Sequence, residues 1–348
     1  MVQAILAAAE LWIAGGTLVS PQGVHRASAV CLREGRIAAL ADSPPKGART
    51  LDARGLFLVP AVIDAHVHLS VAGELNAVAN AELDAGVAAV LDLGEPERLL
   101  PLLPGLLPLH VLFAGPLITA PKGYPTQSWG KDGYGLELST PEQAVQAVER
   151  LVKSGSRMVK LAFDDRFPLL SPEVAEAAVA AAHRHGLKVA AHALSAAMVK
   201  RAMAAGVEVL AHTPVEPLPE ALVHEAGVRK LHVLSTLKAL GGSPAALDNL
   251  RRLRAAGARI VYGTDLGNQG TAPGVDGGEL ALLASAGLTP AEILQAATEE
   301  PAALLGLSYL GALTPGRDAS LLALPDDPAA KADALAHPAW VLIKGVRR

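Results

Sequence analysis

The sequence predicts an α/β fold: a (β/α)8 TIM barrel carrying a small β-sandwich formed by the N- and C-terminal segments. Three observations predict it. From Phe57 onward, brief apolar strand-like runs alternate with Ala- and Leu-rich helical stretches, the pattern of βα units on a parallel sheet. Eight such units in roughly 250 residues match a closed barrel better than an open sheet. Both ends of the chain carry short β-type runs broken by Gly and Pro turns.

Along the chain, Leu11–Ile13, Thr17–Val19, Ala29–Leu32 and Arg36–Leu40 are separated by Gly15-Gly16, Gly23, Glu34-Gly35 and the turn Ser43-Pro44-Pro45, which reads as a small all-β unit. The barrel strands are expected at Phe57–His68, Val87–Leu93, His110–Ile118, Met158–Phe163, Lys188–Ala193, Val207–Thr213, His232–Leu237 and Arg259–Leu266. Thr140-Pro141, Ser171-Pro172 and Thr289-Pro290 each place a hydroxyl at an N-cap and proline at the first helical position. Gln143 and Glu292 complete capping boxes in the first and last. From Gly311 to Gly345 the chain returns to β-type runs such as Ser320–Leu324 and Trp340–Ile343, expected to pair with the N-terminal unit. The expected domains are 1–56 and 309–348 as the two parts of the sandwich, with 57–308 as the barrel.

Composition removes several function classes. With 348 residues, 51% hydrophobic and 18% charged, the chain can bury a large core and is not disordered. Thirty Lys and Arg against 34 Asp and Glu give a net charge of -4, without the basic excess that binding to nucleic acid requires. Cys31 is the single cysteine, so neither an intrachain disulfide nor a Cys-based zinc site can form, which fits a reducing cytoplasm. The apolar stretch Leu99–Phe113 is cut by Pro101, Pro104 and Pro108 and falls short of the roughly 20 residues of a membrane helix. Met1–Ala9 is apolar but has no basic residue and runs straight into strand-like sequence, so it reads as structural rather than as a signal peptide. The expected partner is a small-molecule substrate, with no nucleic acid and no membrane; homo-oligomerisation stays open.

The chemistry concentrates at strand ends. In Val62-Ile63-Asp64-Ala65-His66-Val67-His68, the period of two puts both imidazoles on one side, and at the C-terminal end of a barrel strand that side is the active-site mouth. Two neutral ring nitrogens there suit a metal, although an isolated His-x-His is more often two satisfied polar residues near a strand end. His192 closes the fifth strand, His212 the sixth and Asp265 the eighth, and five such groups at one mouth are hard to explain structurally. Lys160 shares its inward face with Met158 and Ala162; a buried ammonium there is costly unless it is paired or loses its proton. Carboxylation by CO2 would make it an anionic oxygen ligand; the plain alternative pairs it with Asp164, Asp165 or Glu95 at the rim. His183 and His185 end a helical run and read as capping groups, while His110 and His232 begin strands on the opposite, stability face. No Gly-x-Ser-x-Gly elbow or phosphate loop appears.

With these motifs in hand, the chain resembles the metal-dependent amidohydrolase superfamily, in the branch of imidazolonepropionase and the prolidase-like dipeptidases. The resemblance runs from Leu58–His68 through Asp84-Ala85-Gly86-Val87, the Lys160, His192 and His212 strands and Gly263-Thr264-Asp265 to Gly311–Ala319. Ala61 stands where the family usually has glycine and Ser320 where it usually has aspartate. His192 and His212 lack the acidic neighbour expected of a true imidazolonepropionase, which disfavours that activity.

The resemblance implies that His66, His68 and Asp265 hold one divalent metal ion and His192 and His212 another, with carboxylated Lys160 and a hydroxide between them. It implies Asp265 as proton carrier, zinc as the metal its donors suit, and hydrolysis of a carbon–nitrogen bond of amide type in a dipeptide, N-acyl amino acid or cyclic amide. The alternatives are a single-metal aminohydrolase that deaminates a heterocycle, or an inactive barrel serving as a scaffold. The loop from Thr119 to Ser139, with Lys122, Tyr124, Trp129, Lys131 and Tyr134, is expected either to form a lid that supplies a cation or simply to be a soluble surface.

Overall fold

The computed structural model describes residues 10–348; the reading of Met1–Ala9 lies outside the described residues. Two compact units emerge, one of Ala65–Leu75 and Val90–Ala272, the other of the described residues up to Asp64 together with Asn76–Ala89 and Pro273–Arg348.

The eight barrel strands come in the expected order: Val62–Val67, Val87–Asp92, His110–Phe113 continued as Leu117–Thr119, Met158–Phe163, Lys188–Ala193, Val209–Leu210, His232–Leu234 and Arg259–Val261. From the third to the eighth, each pairs in parallel with the next, with Ile118 beside Leu161, Ala162 beside His192, Ala191 beside Leu210, Leu210 beside Val233 and Val233 beside Ile260. The first three strands are neighbours as well. Closure comes from backbone bonds between the end of the first strand and the segment after the eighth. Ala65 N–H donates to Tyr262 O (3.1 Å), Asp265 N–H to His66 O (2.8 Å) and His68 N–H to Leu266 O (2.7 Å). Every residue of the second and fourth strands is buried, as parallel strands covered on both faces require.

Two differences from the sequence reading have local causes. Phe57–His68 is two strands rather than one. Phe57–Pro60 belongs to a sandwich sheet, antiparallel to Leu321–Leu324 and parallel to Thr17–Ser20. Pro60 has no N–H to continue a ladder; Ala61 N–H then donates to Ser320 O and Val62 N–H to Gly86 O, both at 3.0 Å, so the chain changes sheets at one residue. The last three barrel strands are also shorter than expected, because their mouth ends leave the regular ladder before His212 and Asp265.

The sandwich combines both chain ends. One sheet runs Arg36–Ala41, Ala29–Arg33, Leu11–Ala14, Thr50–Asp52; the other runs Val346–Arg347, Trp340–Ile343, Leu321–Leu324, Phe57–Pro60, Thr17–Ser20, Gly23–Val24. Ile13, Leu18, Val30, Leu58, Leu321 and Leu342 share its buried core. The helix starts hold too: Thr140 and Thr289 form full capping boxes, and Ser171 Oγ accepts from Val174 N–H. Among the described residues no helix is long and apolar enough to cross a membrane.

His232 opens the seventh strand beside Arg259. Burial, reinforced by the positive Arg259 and Lys188, pushes its imidazole down to about 4. The folded protein therefore holds it neutral, whereas the unfolded chain protonates it near 6.5. Its contribution is intact above pH 6.5 and lost as pH falls toward 4, by on the order of 2 kcal/mol. His232→Gln should show a smaller drop in urea midpoint between pH 7 and pH 4.5 than the parent protein; identical drops would contradict this.

Candidate active site

His66 and His68 emerge from the first strand with both rings on the mouth side and less than a twentieth of their surface exposed. His66 Nδ1 lies 2.7 Å from the Ala211 carbonyl. A carbonyl only accepts, so Nδ1 carries the proton and Nε2 presents a lone pair. That lone pair meets Lys160 Nζ at 3.0 Å and lies 3.3 Å from Asp265 Oδ1. His68 Nε2 is 3.4 Å from the same oxygen. Ligand atoms of His66, His68 and Asp265 all fall within 4.8 Å of one another, close enough to share a metal ion.

The cluster continues across the mouth. His212 packs on His66 with ring centroids 4.7 Å apart, and His192 on His212 at 4.9 Å. His212 Nδ1 contacts Thr236 Oγ1 at 3.0 Å and stands 3.7 Å from Asp265 Oδ2. The structure thus brings together all six residues singled out in the sequence, His66, His68, Lys160, His192, His212 and Asp265, and all six are buried. Lys160, 1% exposed, does not take the rim partners considered for it. Asp164 is engaged by Arg166, Asp165 accepts from Ser195 Oγ and Glu95 from Ser70.

Burial sets the protonation states. It pushes all four imidazoles down, His66 and His212 furthest, so at neutral pH they are neutral lone-pair donors. Burial lowers the Lys160 ammonium to about 8, against the opposing pull of Asp265 and Asp92. Burial works against the Asp265 carboxylate, but the imidazoles of His66, His212 and His68 outweigh it and hold the pKa well below the usual range. His68 Nδ1, His192 Nε2 and Asp265 Oδ1 are buried without a hydrogen-bond partner among the described residues. Each such atom costs about 1–3 kcal/mol. Three of them within one cluster of lone-pair donors and an ionised carboxylate fit a bound cation.

Backbone geometry shapes the cluster. Asp265 has φ 56°, a left-handed conformation uncommon outside glycine, held by its N–H bond to His66 O. Gly94 gives His68 its room, since a Cβ there would come within 2.5 Å of the ring. Several supporting contacts escaped the sequence reading. Asp92 accepts from Leu69 N–H (2.8 Å) and Gly94 N–H (2.9 Å), and Glu95 binds Ser70 through both N–H and hydroxyl, fixing the segment after His68. The signal was available: Asp92 ends the second strand, the position that identified the histidines. Thr236 lies beyond the seventh strand and carried no such signal.

The loop over the mouth meets the site through its aromatic residues. Tyr124 stacks on His192 (4.4 Å, 25°), Trp129 packs edge-on against His68 (5.0 Å), and Trp129 Nε1 donates to Tyr124 OH at 3.0 Å. Lys122 and Lys131 are exposed. His183, in the last turn of the helix Pro172–Arg184, pairs with Glu208 at 2.9 Å, and His185 occupies that helix's C-cap position.

The amidohydrolase family model matches residues 57–347. The chain belongs to the amidohydrolase family. This amidohydrolase is an enzyme acting on carbon–nitrogen bonds. It is 29% identical to an uncharacterized protein of Mycobacterium tuberculosis over 90% of each chain. Imidazolonepropionase of Deinococcus deserti is 32% identical over 56% of this chain and 58% of its own length. Among solved structures, a putative prolidase from Bifidobacterium longum superposes with TM-score 0.85 at 27% identity, covering 98% of this chain and 95% of that one. A Xaa-Pro dipeptidase with bound methionine shares the fold, with TM-score 0.84 at 20% identity over 98% of this chain and the whole of that one.

Thr236→Val keeps the side-chain shape but leaves His212 Nδ1 without its hydroxyl. Urea unfolding should show a loss of about 1–3 kcal/mol; an unchanged midpoint would mean that the contact contributes nothing.

Proposed function

We propose that this amidohydrolase is a metal-dependent hydrolase of an amide-type bond in a small substrate: a dipeptide, an N-acyl amino acid or a cyclic amide. The observation that carries the reading is the single buried cluster of four neutral imidazoles, one ionised carboxylate and a lysine with lowered pKa. His66, His68 and Asp265 would hold one divalent ion and His192 and His212 a second, with Lys160, carboxylated by CO2, serving both. Zinc is the metal that these imidazole and carboxylate donors suit. When bound, the ions supply a nucleophilic hydroxide near neutral pH and polarise the substrate carbonyl.

The chain's own groups do the rest. Asp265, ionised at neutral pH, accepts the proton of the attacking water and returns it to the leaving amine nitrogen, so amide and water become acid and amine. The Ala211 carbonyl fixes the tautomer and orientation of His66, as Thr236 orients His212. Tyr124 and Trp129 shield the imidazoles from bulk water. Because Lys160 sits only about one unit above neutrality, a useful fraction is the neutral amine that reacts with CO2. Similarity to the Bifidobacterium longum putative prolidase supports dipeptides as the first substrates to try. We place the enzyme in the cytoplasm, where its one buried cysteine fits.

Elemental analysis of gently purified protein should find close to two divalent ions per chain. A reproducible value near one would favour the single-metal deaminase reading, and none would contradict the metal-dependent reading.

Asp265→Asn keeps the side-chain volume and removes the proton carrier. Turnover of the best substrate from a dipeptide and N-acyl amino acid panel should fall by about 10²–10⁴, with the thermal midpoint little changed. Near-parental turnover would rule Asp265 out as the base.

A further inference from the structure

Beside the cluster lies a cavity of about 220 Å³, against the loops that follow the fourth, fifth and sixth strands. We propose that it is a selectivity pocket for a substrate side chain with an apolar stem and a cationic head, of the lysine or arginine type. The proposal rests on the amide-hydrolase reading and specifies its substrate class.

Asp164 lines the cavity, and its Oδ2 lies 3.7 Å from the buried His192 Nε2. Leu194, two residues beyond His192, lines the cavity as well. A substrate whose scissile bond sits at the histidine cluster would enter by extending a side chain past His192 and along Asp164.

The lining has two chemistries. Phe163, Leu194, Met198 and Val215 present apolar surface, suited to a polymethylene stem. The charged groups are three carboxylates, Asp164, Asp165 and Glu216, facing one guanidinium, Arg166. Arg166 is committed to Asp164, with Nε 2.9 Å from Oδ1 and Nη2 2.6 Å from Oδ2, a pair that neutralises itself. Asp165 accepts a hydrogen bond from the uncharged Ser195 hydroxyl at 2.9 Å. The lining thus keeps a negative excess, carried by Asp165 and Glu216 at the exposed mouth. A cationic head complements that excess; a carboxylate would be repelled by it.

The walls are preformed. Asn249, fully buried on the helix Pro244–Ala256, donates through Nδ2 to the carbonyls of Pro214 (2.9 Å) and Glu216 (2.6 Å) and accepts from Leu218 N–H (3.0 Å). Val215 N–H donates to Leu194 O at 2.9 Å, tying the fifth and sixth loops together. A pocket held this way loses little entropy on binding.

Calorimetric titration of the purified holoenzyme with L-lysine, L-arginine, L-norleucine and L-glutamate reads the pocket without turnover, and the shared α-groups cancel in the ratios. Lysine and arginine should bind about tenfold more tightly than norleucine, with glutamate weakest. The double variant Asp165→Asn/Glu216→Gln should lose most of the lysine-over-norleucine preference, and in dipeptide hydrolysis the loss should appear in KM rather than kcat. Equal affinity for norleucine and lysine, or preference for glutamate with Arg166 as its anchor, would overturn the pocket assignment. A chain that prefers lysine in titration yet hydrolyses no amide would keep the pocket and remove the proposed function.

Discussion

Closure of the barrel between its first strand and the segment after its eighth is the constraint on which the rest depends. The bonds Ala65 to Tyr262, Asp265 to His66 and His68 to Leu266 replace what would otherwise be two exposed sheet edges. The same bonds set Asp265 against His66 and His68. A register change of one residue would turn either side's set of side chains away from the mouth, because side chains alternate with period two. Structural closure and site assembly are one event in this fold.

Burying so many polar groups is costly, and the structure shows how the cost is contained. Four histidines go in neutral, which avoids the penalty of buried imidazolium. One carboxylate and one lysine remain as charged forms, with Asp265 favouring the Lys160 ammonium across the cluster. What stays unsatisfied in the cluster, His68 Nδ1, His192 Nε2 and Asp265 Oδ1, belongs to residues that the proposed function casts as metal ligands. Strain is placed there as well, at the left-handed backbone of Asp265. An apolar cluster of the same volume would be easier to bury, so its persistence is explained by chemistry rather than by stability.

Around this centre the loops divide the labour. The segment after the third strand lays Tyr124 and Trp129 on the imidazoles of His192 and His68. The segments after the fourth, fifth and sixth strands form the cavity beyond His192, with Asn249 bracing the last of them from a helix. Specificity in such a barrel is carried by loops while the strand ends carry the reaction, which lets one scaffold serve several substrates.

The sequence by itself determined the architecture and the identity of the central residues. Period-two alternation put His66 and His68 on one side, strand-end positions singled out His192, His212 and Asp265, and Ser or Thr before Pro marked three helix starts. These signals are short-ranged, so they survive without knowledge of the partner strands. Only the tertiary structure decided what touches what. Lys160 meets His66 instead of a rim carboxylate because its partner is chosen by the packing of strands that are far apart in sequence. The split of Phe57–His68 at Ala61 depends on Ser320 and Gly86, neither of them local. The contacts of Thr236 with His212 and of the aromatic loop with the imidazoles, and the cavity behind Asp164, follow from loop conformations, and these are set by closure and long-range packing rather than by any repeating pattern in the chain.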